Sequence, residues 1–121
     1  MKKVIFSTVG LLFGIAFFNA QAISFDAVTQ DYGTVKNGGD GKKVFEFTNT
    51  GSLPLIISNV KTSCGCTVPS WTQTPVLPGK KGEITVQYDT KITGRFSKSI
   101  EVFSNDPKSA RKVLTIKGEI Q

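Results

Sequence analysis

Two thiols separated by a single glycine, Cys64, Gly65 and Cys66, are the only side chains of this 121-residue sequence whose type and spacing point to covalent chemistry. In an extended strand, residues i and i+2 share a face with Cα atoms about 6.5 Å apart, close to the upper end of the disulfide range at about 6.8 Å. Gly65 lets the backbone tighten between them. A bond between the two would close a three-residue loop, for which the chain-entropy relation gives roughly 1.6 kcal/mol, against about 3 for a fifteen-residue loop. The pair is therefore a weak staple. Four uses compete for it. It can shape the loop, as a local disulfide or a reduced pair; it can undergo reversible redox exchange; it can capture a soft metal such as Cu(I) or zinc; or it can bridge to another chain. Two thiolates fall short of a tetrahedral metal site unless a second protomer completes it.

Other chemistry is excluded by composition. The chain contains no histidine and one methionine, Met1, so histidine-based catalysis and the ordinary transition-metal clusters have no ligands or bases to use. Thr67 and Ser70 lack a base to activate them. Asp26, Asp31, Asp89 and Asp106 stand at strand ends or turn positions, where carboxylates cap main-chain N–H groups, and no two acids recur at hydrolase spacing. A non-enzymatic domain without a cofactor is expected, and Gly65, Thr67 and Trp71, beside the cysteines, are candidates for a partner-binding surface. Trp71 has a plainer role open to it, as an indole packed over the cysteine loop at the end of a sandwich.

The residues before the domain decide where the thiols work. Lys2 and Lys3 begin the chain, an apolar run of 15 residues spans Val4 to Phe18, and Ala20, Gln21 and Ala22 form an A-x-A cleavage site. That pattern predicts a cleavable signal peptide over residues 1–22; the run is shorter than the roughly 20 residues of a membrane-spanning helix. Cleavage leaves residues 23–121, a single-domain length of 99 residues. Lys2 and Lys3 leave with the leader and take no acid with them, so the net charge falls from +6 to +4. The remaining basic residues come as doublets, Lys42–Lys43, Lys80–Lys81 and Arg111–Lys112, without the interleaved aromatics of a nucleic-acid platform. A periplasmic or secreted protein is expected, without a membrane anchor in its mature form, and in such a compartment the two thiols can oxidise.

The elements that hold the pair read as β throughout, because no window sustains helical spacing of apolar residues. Strands are expected at Ile23–Val28, Tyr32–Val35, Lys42–Asn49, Leu53–Val60, Glu83–Tyr88, Phe96–Phe103 and Val113–Ile120. Alternation sends Phe45 and Phe47 to one face, Ile84, Val86 and Tyr88 likewise, and Leu114, Ile116 and Ile120 inward. Asn37–Gly41 and Asn105–Pro107 read as turns. Cys64–Gly82, with Pro69, Pro75 and Pro78, reads as one long irregular connection and so as the first place to seek function. Six to seven strands at this spacing favour an immunoglobulin-like two-sheet sandwich.

The order of landmarks resembles the bacterial family called Domain of Unknown Function 1573. The resemblance rests on Asp31, Tyr32, Gly33, Thr34 and Val35, then Phe45, Phe47, Asn49, Thr50 and Gly51, then Pro54 and Leu55. Cys64, Gly65, Cys66 and Thr67 follow as its most specific motif, then Pro78 and Gly79, Tyr88 and Asp89, Gly94 and Phe96, and Ser104 and Asn105. Tyr32 departs from the phenylalanine expected there. The resemblance implies an immunoglobulin-like sandwich akin to pilus-chaperone-like and cilium-associated modules, exported in Gram-negative bacteria, and it implies no activity. A protein-binding or assembly role in the periplasm is the expectation that follows, acting through a sheet edge or the Cys64–Gly82 segment; thiol redox or metal handling is its rival.

Overall fold

A computed structural model describes residues 20–121. The leader expected over residues 1–22 lies, as far as residue 19, outside the described residues. Eight strands follow in order: β1 (Ile23–Phe25), β2 (Thr29–Val35), β3 (Lys42–Asn49), β4 (Ile57–Thr62), β5 (Thr67–Trp71), β6 (Lys81–Tyr88), β7 (Gly94–Ser104) and β8 (Arg111–Ile120). They form two four-stranded sheets, ordered β1-β3-β6-β5 and β2-β8-β7-β4. The all-β sandwich is therefore as expected, with one strand more than the six to seven read from sequence.

Period-two burial builds the two inner faces. Phe45, Phe47, Ile84 and Val86 from one sheet meet Val60, Ile100, Val102, Leu114 and Ile116 from the other, all buried. Tyr88 stacks on Phe96 at 3.9 Å between ring centres, and Tyr32 meets both edge-on. The Tyr32 hydroxyl donates to Gly41 O at 2.6 Å, so the departure from phenylalanine gives the β2–β3 turn an extra tie. Opposite Phe47 in the β3–β6 register stands Gly82, whose absent Cβ makes room for the Phe47 ring.

Apart from shifts of one or two residues at strand ends, the structure differs from the sequence reading in three places, each for a physical reason. The expected strand Ile23–Val28 is shortened to Ile23–Phe25, which pairs with β3; the chain then crosses between sheets, and the strand expected at Tyr32–Val35 begins earlier, at Thr29, as β2, pairing parallel with β8. The apolar stretch from Leu53 enters regular pairing only at Ile57, since Pro54 cannot donate to a ladder; Leu55 makes a single bridge to Val76. Within the stretch read as irregular lies β5, antiparallel to β6 with Pro69 at its centre. Proline is tolerated there because β5 is an edge strand.

This last strand divides Cys64–Gly82 in two. Cys64–Cys66 lies at one end of the sandwich, with the β2–β3 and β6–β7 turns. Thr72–Lys80 lies at the opposite end, with the β3–β4 and β7–β8 connections. There Leu77–Lys80 closes a turn in which Lys80 N donates to Leu77 O, and Gly79 supplies the positive φ of 77° that the turn requires. The long segment is thus two separate surfaces.

Candidate functional site

The chain leaves one sheet at Thr62, on edge strand β4, and enters the other at Thr67, on edge strand β5. Four residues make this crossing, and local hydrogen bonds fix it. Thr67 N donates to Cys64 O at 3.2 Å, and the Thr62 hydroxyl lies 3.1 Å from the carbonyls of both Cys64 and Thr67. Ser63 N donates to Ser99 O, and Asp89 N to Cys66 O. Cys64 and Cys66 stand with Cα atoms 5.2 Å apart and their sulfurs at disulfide distance, tighter than an extended strand would leave them. Cys66 N also donates to Cys64 Sγ at 3.0 Å. Both cysteines are half-buried, and Cys66 packs against the core from its margin.

Of the expected partner-surface residues, the structure brings only Gly65 to the exterior beside the cysteines. Thr67 is 3% exposed and serves as a buried post for the loop. Trp71 is half-buried against the core at the far end of β5, about 13 Å further along the strand; it does not cover the cysteine loop. In its place sits Val68, 63% exposed. Val68, Gly65 and Cys66 line a shallow concavity of about 380 Å³ with Gln87, Tyr88, Asp89 and Thr90. Its floor is rigid: the Thr90 hydroxyl donates to Gly39 O, Gly38 N to Thr90 O and the Asn37 amide to Lys91 O, tying the two neighbouring turns together. Burial, with Asp89 adjacent, pushes the Tyr88 hydroxyl above its ordinary pKa.

Gly65 itself has no conformational reason to be glycine in this state. Its φ is not in the left-handed region, and a Cβ would meet nothing within 4 Å. The tightening that Gly65 was expected to allow is therefore compatible with a side chain. Its absence leaves the loop tip bare.

The neighbouring edges offer little to an incoming strand. Cys66 and Thr72 spend main-chain groups on Asp89 and Glu83 of the β6 side; by antiparallel alternation Val68 and Ser70 do the same, and Thr67, Pro69 and Trp71 face outward. Thr67 N is already bonded and Pro69 has no N–H. On β4, Ser63 bonds to Ser99, which turns Val60 and Thr62 outward, and the Val60 N–H is capped by Asn59 Oδ1 at 2.9 Å. Both edges beside the loop are blunted in this way.

Two buried polar residues escaped the sequence reading as fold determinants. Asn49, 0% exposed, donates through its amide to Leu53 O (2.7 Å) and Val76 O (2.9 Å) and accepts from Gly51 N (2.9 Å). Asp106 caps its own turn, as expected of the aspartates, but also reaches the first strand. Neither long-range contact leaves a signal in local sequence. Among the described residues no group of three histidine, cysteine or acidic side chains is placed to hold a metal, so any metal at the cysteine pair would take its remaining ligands from elsewhere.

No curated protein matches the sequence. Among solved structures the chain is similar to a protein of unknown function from Porphyromonas gingivalis, at TM-score 0.75 and 20% identity over 84% of this chain and 48% of that one. The chain thus spans about half the length of that protein. It is similar also to PapD-like domain 7 of human CEP192, at TM-score 0.69 and 8% identity over 84% and 87% of the two chains. The YadV chaperone follows at TM-score 0.60 and 11% identity over 82% and 52%. At these identities the likeness is one of fold, a PapD-like, immunoglobulin-like sandwich. The landmarks that fix this fold, from the first strand to the last, match the family model described as Protein of unknown function (DUF1573) over residues 23–120, and the chain belongs to that family.

Proposed function

We propose that this is an exported, non-enzymatic module that binds a protein partner in the periplasm of a Gram-negative bacterium, and that the partner meets the end of the sandwich bearing Cys64, Gly65 and Cys66. The observation that carries this reading is the bare tip at Gly65. An exposed residue with ordinary backbone geometry and open space around it has no fold requirement for glycine, whereas a surface approaching the cysteine pair closely does. The exposed Val68 and the concavity beside it supply apolar contact and shape. Of the two routes expected from sequence, strand addition at β4 or β5 is disfavoured by their blunted edges. A chaperone among the fold neighbours fits a module that works by contact with other proteins.

Crosslinked pull-downs from the native periplasm at low salt test the reading. A specific partner is expected with the wild-type chain and lost with Gly65→Trp, while Gly65→Ala and Gly65→Trp both keep the wild-type unfolding midpoint. No partner above background sinks the reading.

A second reading has its own observation. The Cys66 N–H directed at Cys64 Sγ would stabilise a Cys64 thiolate, as reversible thiol–disulfide exchange requires. A reduction potential above about −300 mV supports exchange; a more reducing pair is a structural bond.

A further inference from the structure

Asp106 lies in the turn between β7 and β8 and is 4% exposed. Its Oδ1 is held by the N–H groups of Lys108 (2.8 Å) and Ser109 (3.1 Å). Its Oδ2 accepts from the main-chain N–H of Ile23, 3.0 Å away and 83 residues earlier in the chain. Ile23 is itself buried, at 7% exposure. Pairing alternation explains why this N–H is available: Thr50 N donates to Ala22 O and Asp26 N to Glu46 O, so Ile23, between them, turns its main-chain groups away from β3. Among the described residues the one ion pair joins Arg111 and Glu101. Asp106 is therefore a buried carboxylate held by three main-chain N–H groups, and among the described residues no cation forms an ion pair with it, which leaves the place of a charged partner open.

Ile23 is also the residue that follows Ala20, Gln21 and Ala22, the A-x-A site of the expected leader. We propose that the Asp106 carboxylate is the receptor for the new N-terminus: signal-peptidase cleavage of the Ala22–Ile23 bond frees an α-ammonium that pairs with Asp106 and fastens β1 to the sandwich. In that hydrolysis the peptide C–N bond breaks and one water is consumed. Its oxygen completes the Ala22 carboxylate, and its two hydrogens, with the N–H already present, make Ile23 N an ammonium. The nitrogen need not move. A neutral donor at 3.0 Å becomes a charge-assisted one, a stronger class of contact.

The same geometry sets the order of events. In the uncleaved chain Ser52 N donates to Ala20 O and Thr50 N to Ala22 O, and a Cβ on Gly51 would collide with Ala20 O. The scissile bond is then part of a paired edge and inaccessible to a peptidase, so cleavage precedes the docking of β1. The processed chain keeps every strand, because all eight lie within residues 23–120, and gives up the bonds that Ser52 N and Thr50 N make to Ala20 O and Ala22 O.

The test uses the full chain, exported in a Gram-negative host and purified from the periplasm, with intact mass and amine acylation as readouts. The mass should be that of residues 23–121. An ordinary α-amine has a pKa near 7.7–8.0 and outreacts lysine at pH 7; here the Ile23 amine should acylate at least tenfold more slowly than the exposed lysines, and Asp106→Asn should restore its reactivity. In denaturant titrations Asp106→Asn should shift the folding equilibrium at least tenfold more in the chain starting at Ile23 than in one retaining Ala20–Ala22. A different N-terminus, an Ile23 amine that reacts ahead of the lysines in the native protein, or equal effects of Asp106→Asn in both chains would each overturn the proposal. The native acylation rate needs no variant, so the proposal stays testable if Asp106→Asn fails to fold.

Discussion

Removing the buried Asn49 amide should cost this domain more than removing both cysteines. In Asn49→Ala three short hydrogen bonds disappear, to Leu53 O, Val76 O and Gly51 N, each about 1 kcal/mol net. Val76 is buried like Asn49, so its stranded carbonyl gains little water in return, and a total of about 3 kcal/mol is expected. Cys64→Ser with Cys66→Ser releases a three-residue loop, whose closure accounts for at most about 1.6 kcal/mol. With a urea m-value of about 1.5 kcal/mol/M, the midpoints should fall by about 2 M and by no more than about 1 M respectively. Trp71, the only tryptophan, is half-buried on β5 and reports unfolding by its fluorescence. If the double cysteine variant loses as much stability as Asn49→Ala, the pair is a principal staple. A structural role would then suffice to explain the loop, and the reasoning that assigns it to a partner fails.

Three further outcomes follow from packing and charge. Gly82→Ala would place a Cβ 2.4 Å from the Phe47 ring inside the core, and overpacking of that kind should destabilise by about 1–3 kcal/mol, read as a lowered thermal midpoint with unchanged secondary structure by circular dichroism. Burial, helped by Asp40 and Tyr88, pushes the Tyr32 hydroxyl up to about 12. A raised pKa means that the neutral phenol is the folded form, so stability is intact below pH 10 and is lost as pH rises from there toward 12; Tyr32→Phe should move the alkaline unfolding midpoint upward. Burial alone would raise the Asp106 carboxyl, but the N–H groups of Ile23, Lys108 and Ser109, with the field of Lys112, bring it below its ordinary 3.8. A lowered pKa puts its contribution above that value and removes it as pH falls through the lower folded one, so Asp106→Asn should flatten the acid limb of a stability profile taken from pH 6 to pH 2.

What the sequence made legible was the part governed by period-two patterning. Phe47, Ile84, Val86 and Ile116 alternate with polar neighbours, Phe45 and Leu114 continue the same faces at the same period, and that alternation places them in the core of a sandwich. Strand β5 stayed hidden because Pro69 reads as a breaker; only the tertiary fact that β5 is an edge makes proline acceptable there. Its omission made Cys64–Gly82 look like one surface and set Trp71 beside the cysteines, whereas five extended residues carry Trp71 to the other end of the domain. The cysteine pair was legible as chemistry, and Gly65 as its companion. Thr67 was not legible as buried, because its post-like role depends on the partner carbonyls and on Tyr88 across the β5–β6 register. Asn49 and Asp106 act through contacts 27 and 83 residues distant, which no local pattern encodes.

Site-specific photocrosslinking in the native periplasm tests the central claim most directly, with the reactive group placed once at Val68, beside the cysteine loop, and once at Gln73, exposed at the opposite end. One discrete adduct from position 68, absent from position 73 and lost when Gly65→Trp is added, is the result this account predicts. The same adduct from both positions, or one from position 73 alone, would contradict it.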